Sequence, residues 1–144
     1  NIILWDLGIT IKSDTKASQV ELTTFTIAPT GDVIATAGKE CSVKIWDVKD
    51  YKPEESRKLD TSFPVNQVAF NPTKKWLAVA QAAKIDIFDL ENEEPTAGFI
   101  IKAEKPSGMG ECYEVTCFTW SGDGNALYAA FDDNLIRVYG FIED

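Results

Sequence analysis

The feature that most constrains this chain is a turn that recurs three times between two apolar strands. Each copy has an alternating apolar segment, a polar turn built on Pro or Gly, and a second apolar segment. The copies are FTIAPTGDVIATAG (25–38), VAFNPTKKWLAVAQ (68–81) and FTWSGDGNALYAAF (118–131). Pro presets φ for such turns, and Gly and Asp tolerate their geometry. Short strands separated by these turns predict an all-β structure.

A third strand that carries an aromatic residue near its end follows each copy. These strands are SVKIWD, KIDIFD and LIRVYG, with Trp46, Phe88 and Tyr139. The opening residues NIILWD, with Trp5, look like a further copy without its upstream half. The aromatic residues recur about every 42 residues, and one longer interval indicates an insertion within 102–114. The repeat unit therefore contains at least three strands.

Segments that suit a fourth strand follow three of the four aromatic residues. They are GITIKS (8–13), SRKLDT (56–61) and AGFIIKA (97–103). A period near 42 with four strands per unit is typical of β-propeller blades, each packed against its neighbours on both faces. We expect an all-β structure with about three blades and a partial one. The expected divisions are 1–16 (end of a blade), 17–62, 63–104 and 105–144, where the last blade lacks its closing strand.

Charge and residue content disfavour several classes of function. The chain has 14 basic and 23 acidic residues, no His, and a formal net charge of -9. An acidic surface repels phosphate backbones, so general nucleic-acid binding is not expected. Three cysteines without framework-like spacing indicate reduced thiols in a cytosolic protein. Cys117 falls in a first strand, where we expect it to be buried as a small apolar residue.

The sequence contains little that could support catalysis. Without His, there is no Ser-His or Cys-His pair and no imidazole ligand for a metal. The segment SGMGE (107–111) lacks the Lys-Ser/Thr of a phosphate-binding loop. Asp132 and Asp133 are adjacent, so on a strand their side chains would point to opposite sides. We expect no enzyme activity, no cofactor and no metal.

The aromatic strands resemble those of the WD-repeat family. The Trp-Asp pair is present at Trp5-Asp6 and Trp46-Asp47, survives as Phe88-Asp89, and is replaced by Tyr139-Gly140. In this family an Asp six positions before the aromatic residue joins a hydrogen-bond network with a His, a Ser or Thr, and the Trp. The resemblance implies structural roles at this turn and strand end for Glu40, Trp46, Asp47, Phe88, Asp89, Asp133 and Tyr139. The position is occupied by Ala82 in one blade, and the chain has no His for the network.

Within the WD-repeat group, two segments resemble the scaffolds of the receptor-for-activated-C-kinase family. NPTKKWLAVAQAAKIDIFDLE (71–91) is similar to their sixth blade, and EVTCFTWSGDGNALYAAFDDNLIRVYGF (114–141) to their last. The resemblance implies a cytoplasmic G-protein-β-like scaffold that docks protein kinase C and other signalling proteins. In its intact form it would also associate with the small ribosomal subunit. A G-protein β subunit and a structural propeller subunit of a coat or pore assembly remain alternatives.

Two loops are the expected partner surfaces. One is the insertion at 102–114 and the other is the loop at 50–56, which suggest Tyr51, Lys102, Lys105 and Met109 as candidate contact residues. Three blades in an arc would leave two open faces and unpaired strand edges, which tend to associate. We therefore also expect the fragment to be capable of self-association, for example of two copies pairing end to end.

Overall fold

The computed structural model describes residues 1–5, 11–94 and 97–141, with backbone only for residues 11 and 12. These residues form β-strands, turns and loops, and no helix occurs among them. In chain order the strands are β1 (Ile2–Trp5), β2 (Ile11–Thr15), β3 (Leu22–Ile27), β4 (Val33–Gly38), β5 (Ser42–Lys49), β6 (Lys52–Asp60), β7 (Val65–Phe70), β8 (Trp76–Gln81), β9 (Lys84–Asp89), β10 (Ala97–Ile101), β11 (Val115–Trp120), β12 (Ala126–Phe131) and β13 (Ile136–Gly140).

The strands form four antiparallel sheets in which each strand pairs with its neighbour in the sequence. They are the β1–β2 hairpin, the first four-stranded sheet (β3–β6), the second four-stranded sheet (β7–β10) and the three-stranded sheet (β11–β13). Nearest-neighbour pairing follows from the short turns, which can join only antiparallel strands. The predicted all-β propeller architecture is confirmed.

The three larger sheets are built on one register. Trp46 pairs with Ile34 in the first four-stranded sheet, and Phe88 pairs with Leu77 in the second. Tyr139 pairs with Leu127 in the three-stranded sheet. The first strand of each sheet also has a bulge at its second residue. Third-strand positions counted from the aromatic residue are therefore structurally equivalent in the three sheets. Second-strand positions are matched by this pairing, because the turn before β9 is one residue shorter than the turns before β5 and β13.

The core lies between successive sheets, because alternate residues of each strand point to opposite faces. Ala35, Val43 and Ile45 pack against the second four-stranded sheet, whose Leu77 and Val79 face them. The other face of that second sheet packs against the three-stranded sheet. The β1–β2 hairpin covers the outer face of the first four-stranded sheet, around Ala17, Ile34 and Trp46. The small residues at Ala35 and Ala78 are fully buried and allow the sheets to approach.

One face of the three-stranded sheet is open among the described residues. Tyr128 is 41% exposed, Ile136 is 72% exposed and Val138 is 59% exposed. Cys117 is also exposed, so the prediction that it is buried was wrong. Its strand is a first strand as expected, but the side chain points to this open face.

The predicted loop at 50–56 has more regular structure than the sequence indicated. It is mostly strand, because β6 already begins at Lys52. Asp50 and Tyr51 alone form the turn between β5 and β6, both with positive φ (50° and 62°), as in a type I′ hairpin. The sequence did not indicate this turn because Tyr is rarely found at positive φ.

Candidate functional site

The candidate site is a set of polar side chains at one end of the sheets. We use the term turn network for the side chains that tie the turn between the second and third strand of a sheet to the segment leading into its first strand. In a propeller such segments and turns lie on one face of the disc. Because the strands hold them, they offer partners a preorganised surface.

The turn network of the first four-stranded sheet is centred on Glu40. Its carboxylate accepts a hydrogen bond from the Ser18 hydroxyl and another from the backbone N–H of Gln19, at 2.9 Å. Lys44 lies 3.8 Å from the carboxylate, and its ammonium also donates to the carbonyl of Ala17 at 3.1 Å. The Ser18 hydrogen bond is the largest cause of a lowered pKa at Glu40. The acid therefore holds the segment that leads into β3.

The indole of Trp46 forms a hydrogen bond within the same sheet. Its Nε1–H donates to the hydroxyl of Thr36 at 3.0 Å, and both side chains are buried. The equivalent residues in the second four-stranded sheet are Phe88 and Val79, which have neither donor nor acceptor. Buried donors need partners, and removing donor and acceptor together is nearly neutral. The role of Thr36 could not be predicted from the sequence, because it depends on contact with Trp46 across two strands.

The second four-stranded sheet has a different network, since Ala82 stands where Glu40 does. Gln81, which is fully buried, accepts hydrogen bonds from the backbone N–H groups of Ser62 and Phe63, both at 3.1 Å. Its amide donates to Oδ2 of Asp86 at 2.6 Å. Lys84 reaches the same oxygen at 3.1 Å. Gln81 thus ties down the segment leading into β7 from one position before Ala82.

The three-stranded sheet uses two adjacent acids. Asp132 accepts a hydrogen bond from the N–H of Glu114 at 3.0 Å, which ties the segment leading into β11. Asp133 binds Arg137 through both carboxylate oxygens, at 3.1 Å and 2.6 Å. This ion pair lowers the pKa of Asp133 and raises that of Arg137. Burial raises the pKa of the neighbouring Tyr139.

Equivalent strand positions carry opposite charges in the three sheets. Lys44 and Arg137 each lie two residues before the aromatic residue of their sheet. Lys44 pairs with Glu40 and Arg137 pairs with Asp133, in each case an acid four residues before the cation. The second four-stranded sheet has Asp86 at this position, where it is 4% exposed. Both members of the acid–base pair are thus changed together. The sequence features that could have identified these residues are the acid Asp86 between the isoleucines of β9 and the polar Gln81 at the end of the otherwise apolar β8.

The remaining strand-end residues lie at the opposite end of the sheets. Asp47 is exposed and lines a groove of about 590 Å³ between the two four-stranded sheets. Asp89 accepts a hydrogen bond from the N–H of Glu91 at 3.0 Å and caps the turn after β9. Neither acid contacts the turn networks. The structure therefore separates the predicted acids into two groups at opposite ends.

The insertion forms a hydrogen-bonded hairpin that projects from the turn-network end. Glu104 and Cys112 form an antiparallel bridge, and the N–H of Tyr113 donates to the carbonyl of Ala103 at 2.8 Å. Lys105 lies over the Tyr113 ring at 5.5 Å. The tip presents Met109, which is 65% exposed.

The other candidate contact residues are spread along the chain. Lys102 is exposed at the base of the insertion hairpin. Tyr51 is 54% exposed in the turn between β5 and β6, at the opposite end of the sheets. The structure thus brings together Lys102, Lys105 and Met109 but not Tyr51.

Groups typical of other sites are not found in the part of the chain that is described. Among residues 1–5, 11–94 and 97–141, no three His, Cys, Asp or Glu side chains converge as metal ligands would. None of these segments forms a helix with the length and apolarity needed to cross a bilayer.

Comparisons with known proteins agree with this architecture. The family model for the WD domain, G-beta repeat, matches residues 10–47 and 106–140, a little over half of the chain. The chain belongs to the WD-repeat family.

Two relatives narrow the similarity within that family. The small ribosomal subunit protein RACK1 of Schizosaccharomyces pombe is 35% identical over 118 residues, which cover 79% of this chain and 36% of that protein. MST50-interacting protein 11 of Pyricularia oryzae is 32% identical over 143 residues, 95% of this chain and 43% of that protein. The chain spans less than half the length of these curated relatives, and it is a RACK1-like fragment of a WD-repeat protein.

Proposed function

We propose that this chain is part of a non-enzymatic, cytoplasmic protein-interaction scaffold of the RACK1 type. The observation that carries the proposal is the insertion hairpin, which presents Met109 on a hydrogen-bonded support. A rigid support lowers the entropy lost on binding, and exposed Met side chains adapt to varied partner surfaces. The name of one relative places it in the small ribosomal subunit, and that of the other states an interaction with MST50.

The partners that we propose for the complete protein are kinases of the protein kinase C type, other signalling proteins and the small ribosomal subunit. The similarity to RACK1 favours this function over a G-protein β subunit or a coat or pore component. The strongly acidic charge of -9 makes this region a poor match for ribosomal RNA. We therefore assign signalling partners to this region and the ribosome to other parts of the complete protein.

The experiment that tests this proposal measures partner binding by the full-length scaffold with Met109→Glu. We expect the affinity for a protein kinase C to fall about tenfold, as for loss of an apolar contact at the centre of an interface. Sedimentation with small ribosomal subunits should not change. The control is Ile100→Glu, because Ile100 on β10 is 56% exposed and lies outside the insertion hairpin. Equal losses in both variants, or none in either, would contradict the proposal.

We also propose that the open face of the three-stranded sheet is covered in the functional protein. Ile136 and Val138 are exposed on β13, whose outer edge has no partner strand among the described residues. Exposed apolar strands with free edges associate. Either further blades or a second copy of this fragment would cover them. Ile136→Lys with Val138→Lys should abolish dimers of the fragment in sedimentation velocity, and a monomeric parent would contradict self-association.

A further inference from the structure

A pocket of about 540 Å³ lies between the two four-stranded sheets, beside β6 and β9. Its walls include the apolar side chains of Leu59, Phe88 and Ala97. Its lining also contains four carboxylates, those of Asp60, Asp86, Glu93 and Glu94, and two cations, Arg57 and Lys58. The pocket therefore combines an apolar wall with an excess of negative charge.

Asp86 supplies an independent indication that the pocket binds a ligand with a hydrogen-bond donor. Asp86 is 4% exposed and lines the pocket. Oδ2 is engaged by Gln81 and Lys84, at 2.6 Å and 3.1 Å, whereas Oδ1 has no hydrogen-bond partner. A buried carboxylate oxygen without a partner is costly, so a donor that reaches it gains more than it would at a solvated acid.

The two cations that line the pocket leave Glu93 and Glu94 open to a further positive charge, whereas Oδ2 of Asp86 already has Lys84 at 3.1 Å. The guanidinium of Arg57 donates to the carbonyls of Leu90 and Asn92, at 3.0 Å and 3.1 Å. Lys58 lies 3.9 Å from Asp60, and both side chains are more than half exposed. An ion pair that is so exposed is weak and can be exchanged for another.

We propose that this pocket binds a basic side chain, lysine or arginine, of a partner peptide. The aliphatic stem lies against Leu59 and Phe88, and the cationic group donates to Oδ1 of Asp86. Glu93 and Glu94 attract the charge at the entrance. Because Oδ1 is covered by its neighbours, a rotation of side chains at the pocket uncovers it on binding. The inference goes beyond the proposed function and does not depend on the insertion hairpin.

The test titrates the full-length, isotope-labelled protein with the peptide acetyl-Gly-Arg-Gly-amide and follows backbone amide signals by NMR. We expect shifts at Ser62, Asp86 and Ala97, and binding at least tenfold weaker when citrulline replaces arginine. Glu93→Gln with Glu94→Gln should weaken binding about threefold, as expected for exposed charges, and Asp86→Asn about tenfold. The matched control Glu54→Gln with Glu55→Gln changes exposed acids of β6 outside the pocket and should have no effect.

Several outcomes would overturn the inference. They are equal binding of the citrulline peptide, shifts outside the pocket alone, or shifts with Ca²⁺ but not with the peptide. If Asp86→Asn does not fold, the variant with Glu93→Gln and Glu94→Gln tests the inference, because these two side chains are exposed and their replacement should not disturb folding. Unchanged binding in that variant at low salt would then contradict the proposal. Loss of kinase binding by Met109→Glu has no bearing on this result.

Discussion

The first and second four-stranded sheets have the same strand order and register but hold their turns in different ways. The first uses an acid in the turn, a hydroxyl and an indole, at Glu40, Thr36 and Trp46. The second has Ala82, Val79 and Phe88 at these positions and relies on Gln81 with Asp86. The Trp46 indole has the Thr36 hydroxyl as its partner, and both groups are absent where Phe88 and Val79 replace them. The turn networks therefore share the pairing of backbone N–H groups with a side-chain acceptor and not fixed residue types.

The largest effect that would test this comparison is expected at Gln81. Gln81→Ala leaves the N–H groups of Ser62 and Phe63 without their acceptor, removes one of the two donors to Oδ2 of Asp86, and creates a cavity. We expect a loss of about 3 kcal/mol in the free energy of unfolding. Urea denaturation measures this loss. Lys39→Ala, in the turn after the second strand of the first four-stranded sheet, is the control and should change stability by less than about 0.5 kcal/mol because its ion pair with Glu21 is exposed. Similar losses at both positions would show that the networks do not differ as proposed.

The paired change of donor and acceptor can be tested in both directions. Thr36→Val leaves the Trp46 indole unpaired and should cost about 1–2 kcal/mol in the free energy of unfolding. Adding Trp46→Phe should remove the part of this cost that comes from the unpaired N–H. The reverse change, Val79→Thr, buries a hydroxyl beside Phe88 and should also destabilise by about 1 kcal/mol. A double-mutant cycle followed by thermal unfolding measures the coupling. Additive effects of the two changes at residues 36 and 46 would argue against the hydrogen bond.

The smallest effect is expected from the charge of Glu40. Its folded pKa is lowered below its ordinary value of 4.5, first by the Ser18 hydroxyl. A lowered acid pKa stabilises the fold above the unfolded value, and this stabilisation is lost as pH falls through the folded pKa. We expect Glu40→Gln to cost up to about 1 kcal/mol near pH 7 and progressively less below about pH 4.5.

Chemical denaturation across that pH range measures the difference between Glu40→Gln and the parent. The effects of Asp133 and Asp123, whose pKa values are also lowered, cancel because both proteins contain them. The second four-stranded sheet has no acid at this position, so no matching contribution is expected from it. A stability difference that grows as pH falls would contradict the assignment.

The aromatic residues and the recurring turns were sufficient to predict the blades, because strand alternation and turn chemistry are local properties. The candidate site was less predictable. Glu40 and Asp133 were identified through the resemblance to WD repeats, which have an acid six positions before the aromatic residue, whereas Ser18, Gln81 and Asp132 were not. The side chain of each of these three residues forms a hydrogen bond with a residue 18 to 22 positions away in the sequence. Only the folded chain brings such pairs together.

Sequence by itself determined the all-β architecture, the repeat and the equivalence of the positions around Trp46, Phe88 and Tyr139. Those properties follow from the period of apolar residues and from turn residues, which act over a few neighbours. Tertiary structure alone decided that Cys117 is exposed, that Asp86 is buried beside a pocket, and that 102–114 is a hairpin. The burial and pairing of a side chain depend on which sheet packs against its face. The sequence of one strand does not specify which sheet that is.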